Sequence, residues 1–157
     1  MSYWDWAIDV HGRAGVDAAL TGLQDDHGQC VAYLLWAAWA AAEGRALPAR
    51  TLEAGAALAA QWEASATGPL RGARRALKTP SPPVEDAARE ALREQVRTAE
   101  FAAERLLMET LERMAPAAAG PRRPIGAALA DAASAWRARA SADAPKLALD
   151  DLAARLD

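Results

Sequence analysis

Residues Gln29–Glu43, QCVAYLLWAAWAAAE, decide the fold. Every position from Cys30 to Ala42 is apolar, and a helix that is apolar nearly all round is buried against neighbours on most sides. The run ends at Glu43-Gly44, well short of the ~20 apolar residues that a membrane span needs. It is therefore expected to be the central helix of a soluble bundle, with Val31, Leu34 and Leu35 in a core that also takes Leu58.

On the N-terminal side, Ser2 is positioned to cap a helix over Tyr3–Gly12, in which Trp4, Ile8 and His11 share one side. Gly12 and Gly15 interrupt it. A second helix then follows over Val16–His27, with Val16, Ala19, Leu20 and Leu23 inward and Gly28 as its left-handed stop. On the other side, Gly44 and Leu47-Pro48 lead to Thr51, a plausible cap for a helix over Leu52–Ala66 with Leu58 and Trp62 inward. Gly68-Pro69 predicts a break before a short basic helix over Leu70–Lys78.

Thr79-Pro80-Ser81-Pro82-Pro83 resists helix, because proline lacks an amide proton and constrains the residue before it. Beyond this turn, Val84–Met114 is the longest predicted helix, with an apolar seam through Val84, Ala88, Leu92, Val96, Ala99, Ala103, Leu106 and Leu111. Ala115–Pro124 is rich in Ala, Gly, Pro and Arg and predicts an irregular linker. Two weakly amphipathic stretches follow, interrupted at Pro145, whose Leu147, Leu149, Leu152 and Leu156 would dock on the body or on a second copy in a homo-oligomer. The expected fold is all-α: a compact multi-helix bundle at residues 1–114 with one long helix in its C-terminal half. A linker and a flexible or loosely docked tail occupy 115–157.

Composition agrees. Ala and Leu supply most of the 52% apolar residues, while the β-branched and aromatic strand formers are few. The single cysteine, Cys30, allows no internal disulfide, and the first residues lack the basic start of a secretory signal, so the expected location is cytoplasmic. The net charge of −3 is unevenly spread, at −5 over residues 1–66, +4 over 67–80 and −2 over the rest. A weakly acidic whole argues against general nucleic-acid binding.

Catalytic and metal signatures are sparse. His11, His27 and Cys30 fall in no paired ligand spacing, so neither a metal site nor a cofactor is expected. Cys30 starts the most apolar segment, where a thiol is buried and inert. No catalytic residues are assigned, and pairs such as Asp25/Asp26 and Glu100/Glu104 are expected at the surface. Six tryptophans are many for this length; core filling is one reading, and a candidate aromatic groove of Trp4, Trp36, Trp39 and Trp62 is the other. Arg71, Arg74, Arg75 and Lys78 follow i, i+3, i+4 and i+7, forming one cationic stripe on a helix. The stripe either pairs with this chain's own acids or receives an acidic partner or an anion.

Tyr3-Trp4-Asp5-Trp6-Ala7, Gly15-Val16, Leu23-Gln24-Asp25, Gly28, Leu34-Leu35-Trp36, the basic Pro69-Leu70-Arg71 to Lys78 segment and Glu100 with Glu104-Arg105 carry a resemblance over about residues 3–113. The chain resembles a family of small helical bacterial proteins that share a conserved domain of unknown function. That resemblance implies a helical cytoplasmic protein and no activity. The leading expectation is a non-catalytic interaction or regulatory module that binds an acidic protein surface through the stripe. The alternatives are a small-ligand- or anion-binding protein or enzyme with a Trp-lined pocket, and an amphipathic coat on a hydrophobic surface.

Overall fold

The computed structural model describes residues 1–157 and is built of helices and turns, with no strand. α1 (Tyr3–His11) starts as predicted: the Ser2 hydroxyl accepts from the Asp5 amide at 3.1 Å. α2 (Val16–Asp25) is entered through Gly15 at φ 77° and left through Gly28 at φ 60°, left-handed positions that glycine adopts without Cβ strain. α3 (Val31–Ala42) is the central helix, and Tyr33 through Ala41 are all buried. Leu34 and Leu35 lie in the core, whereas Val31 and Leu58 are only partly buried against it.

α4 (Ala49–Trp62) begins earlier than predicted, with Pro48 rather than Thr51 as the residue preceding the helix. The predicted break at Gly68-Pro69 is also absent. A π-helical turn, Glu63–Thr67, joins α4 to α5 (Gly68–Ala76), so the chain stays helical from 49 to 76. The Gly68 amide reaches back to the Glu63 carbonyl, and a Cβ at Gly68 would stand 2.5 Å from that oxygen, so the turn needs glycine there. Pro69 falls in the first turn of α5, where a missing amide is tolerated.

α6 (Asp86–Met114) is the predicted long helix, at 29 residues. Its inward face is rotated from the predicted apolar seam, because Arg89, Glu100, Ala103, Leu107, Met108 and Leu111 are buried while Val84, Leu92 and Leu106 are exposed. The cause is its neighbour: α5 turns arginines towards α6, so the face that meets them is partly charged.

The predicted loose tail is corrected. α7 (Ile125–Ala140) and α8 (Lys146–Leu156) complete the same core, with Ile125, Leu129, Trp136, Leu149, Leu152 and Leu156 buried in one cluster with α3 and α4. Ala128, Ala132 and Ala133 permit close helix approach, and the Trp136 indole N–H donates to the Gly28 carbonyl at 3.0 Å. The connection over 115–124 is irregular as expected, yet it is fastened to the end of α3 by Gly120 N–H to Gly44 O and Arg123 N–H to Ala41 O, both at 3.1 Å. No helix is long and apolar enough to cross a membrane.

Candidate ligand-binding pocket

Of the four cations of the predicted stripe, Arg71 and Arg74 are half-buried in ion pairs and Arg75 and Lys78 are exposed. Arg71 donates from Nη1 to Glu63 Oε1 at 2.5 Å and from Nε to Glu100 Oε1 at 3.3 Å, and its Nη2 lies 3.6 Å from Glu104 Oε1. Arg74 donates to Glu100, and Arg75 to Asp25 Oδ1 at 2.5 Å. Lys78 is exposed at the end of the row. Glu100, predicted at the surface, is 6% exposed because it sits between Arg71 and Arg74. Burying one carboxylate between two guanidinium groups satisfies charges that would otherwise be very costly to desolvate.

The candidate aromatic groove does not assemble either. Trp36 and Trp39 are completely buried and stack at tilted angles on Tyr33 and Tyr3, with centroids 5.9 and 5.5 Å apart. The Trp62 indole donates to the Ala103 carbonyl at 2.9 Å, fixing α4 to α6. Only Trp4 remains at an opening. Its ring meets Phe101 edge-on at 5.2 Å, and the Arg105 guanidinium lies over it at 5.0 Å.

That opening leads into a cavity of about 200 Å³ lined by α1, α2, α3, the π turn, α5 and α6. Leu20, Leu35, Leu107 and Met108 form its apolar walls, with Trp4, Ile8 and Phe101 around the entrance. Ile8 and Phe101 are more than half exposed, at 56% and 57%, which is unusual for large apolar side chains clustered at one place. Glu63, Thr67, Arg71 and Glu104 form the polar end. The π turn places Thr67, 1% exposed, so that its hydroxyl donates to Glu63 Oε2 at 2.6 Å. Glu63 is thus held by two donors.

Glu104 is held less firmly. Its nearest cationic atom is Arg71 Nη2 at 3.6 Å, and 39% of its side chain is accessible. Burial of the surroundings, with Glu100 and Glu63 adding negative charge, raises its pKa above the ordinary glutamate value, and Arg71 opposes the rise. Cys30 also faces the cavity, but burial pushes its thiol up to about 12, so it stays protonated at neutral pH. At the rim, His11 Nδ1 lies 3.6 Å from Asp17 Oδ1. The arrangement is an apolar chamber with charged hydrogen-bonding groups at one end.

Sequence periodicity misses this pocket, because its walls come from six segments. The signal available was the polar pair Glu63 and Thr67, four apart just before Gly68-Pro69.

Residues 2–111 match the family described as protein of unknown function DUF2390, and the chain belongs to that family. The matched region contains every pocket residue, since the cavity is lined by side chains between Trp4 and Met108. No curated protein and no solved structure matches the chain.

Proposed function

We propose that this chain is a small-molecule-binding module whose pocket, within the family's shared region, takes a compact amphipathic ligand. One observation carries the reading: an apolar cavity of about 200 Å³ that opens between exposed apolar side chains and ends on Glu63, Thr67, Arg71 and Glu104. A dry apolar cavity of ~150 Å³ is enough to hold benzene, so the space suits one ring with a short polar extension. The cytoplasm is the proposed location, where a lone buried thiol such as Cys30 stays reduced. Arg71, Arg74 and Arg75 already engage acids of this chain, which favours the pocket over an acidic protein partner as the reading to test first.

The test is calorimetric titration of the full chain with 2-phenylethanol, a neutral ring-and-hydroxyl probe, beside Val31→Phe, which fills the cavity from α3. Saturable one-to-one binding that weakens at least tenfold in the variant, with its melt retained, supports the reading. Binding that is indifferent to the filled cavity removes it.

A further inference from the structure

We infer that the preferred ligand is a small organic amine bound as its ammonium, with its apolar body between α2, α3 and α6 and its head at Glu104; this rests on the pocket reading above. The charge balance of the polar end is the first argument. Three carboxylates, Glu63, Glu100 and Glu104, share two guanidinium groups, Arg71 and Arg74, leaving one negative charge in surplus. Nearby cations do not cancel it. Arg105 is drawn to Glu109 at 2.8 Å and lies over Trp4, and Arg75 is paired with Asp25.

Hydrogen-bond capacity is the second argument. Arg71 Nη1 and Nε already donate to Glu63 and Glu100, and its Nη2 faces Glu104. An anionic head could reach only Arg71 Nη2, which makes no hydrogen bond, and would there stand directly against Glu104 with Glu63 beside it. A carboxylate has about four acceptor positions, and Glu104 makes one long contact. An ammonium brings three donors and the missing positive charge. The apolar walls then require that the charge sit at one end of the ligand, with a body no larger than about a single ring, given the cavity of about 200 Å³.

The experiment compares three probes with the same phenyl body on the full chain: 2-phenylethylamine, 2-phenylethanol and phenylacetate. The amine is expected to bind at least tenfold more tightly than the alcohol, and phenylacetate more weakly than both. Glu104→Gln is expected to bring the amine's affinity down to that of the alcohol measured on the same variant. Equal affinities of amine and alcohol for the unmodified chain, or an amine preference that survives in Glu104→Gln, overturn the amine inference while the pocket reading stands. Absence of binding by all three probes overturns both.

Discussion

The α3–α7 and α5–α6 contacts of this molecule are built from opposite chemistry. α3 meets α7 through Tyr33, Trp136 and close-packed alanines, all buried, with ring centroids 5.8 Å apart for the aromatic pair. α5 meets α6 through Arg71 and Arg74 on Glu100, and through Arg89, whose guanidinium donates to the Leu77 carbonyl and to Asp86. None of α5's residues is fully buried. The first contact holds by excluding water from fitted surfaces, so it is sensitive to lost volume. The second holds by mutual satisfaction of charges and contributes little net stability, but it is sensitive to the loss of any one member.

The largest expected effect tests the apolar contact. Trp136→Ala should destabilise by ~3–5 kcal/mol in denaturant melts, because it empties a buried ring site and leaves the Gly28 carbonyl without its donor. A loss below ~1 kcal/mol would mean that α7 is not part of the core, on the same large-to-small scale.

The ionic contact should behave differently under single and joint substitution. Glu100→Ala leaves two guanidinium groups without their shared partner and should cost ~3 kcal/mol. Replacing Arg71, Arg74 and Glu100 together by Met or Leu should restore most of that loss, since an apolar set of similar volume needs no pairing. Losses that merely add in the triple variant would show that the two contacts are not different in kind. By the same reasoning, reversing Arg71, Arg74 and Arg75 to Glu lowers the melting temperature, whereas an open stripe would leave the melt unchanged.

A smaller effect is expected at Glu104, and its sign is set by the raised pKa. A carboxyl that binds its proton more tightly when folded favours the folded state at low pH, and that advantage is lost as pH rises through the folded pKa. Glu104→Gln should therefore melt at or slightly above the parent temperature at pH 7. The difference should close as pH falls below the ordinary glutamate value of 4.5. A variant that melts lower at pH 7 would make Glu104 part of the charge network that holds α5 to α6. Ser2→Ala should cost ~1 kcal/mol for a lost helix cap, checked by the same melts.

The apolar contact was also the more legible in the sequence. Cys30–Ala42 announces a buried helix by composition alone, and Gly15, Gly28 and Gly44 mark turns that do adopt positive φ, at 77°, 60° and 67°. α7 and α8 were harder to read, because alanine faces give a weak apolar rhythm even where they pack closely. The seam of α6 could not be read from its own periodicity: which face turns inward depends on whether the neighbour presents leucine or arginine. Arg71 and Arg74 were recognised as a charged face that either pairs with this chain's own acids or meets a partner, but the choice of Glu100, 26 to 29 residues away, as their shared carboxylate depends on how α5 and α6 pack. The pocket was the least legible, since concavity is a relation among segments.

The π turn at Glu63–Thr67 has a consequence for how α5 is aimed. A helix advances ~100° per residue, so one surplus residue in an otherwise regular run sets everything after it into a new phase. The helical stretch from 49 to 76 can thus be treated as two gears on one shaft, with the turn as the offset between them. Removing the exposed Ala64 would bring the two back into step and swing Arg71 and Arg74 a quarter-turn or so from Glu100, with no charge added or lost. Loss of the coupling between Arg71 and Glu100 in a double-mutant cycle on that deletion would register the slip. The affinity of the pocket's polar end would then depend on how many residues precede it as much as on which ones form it.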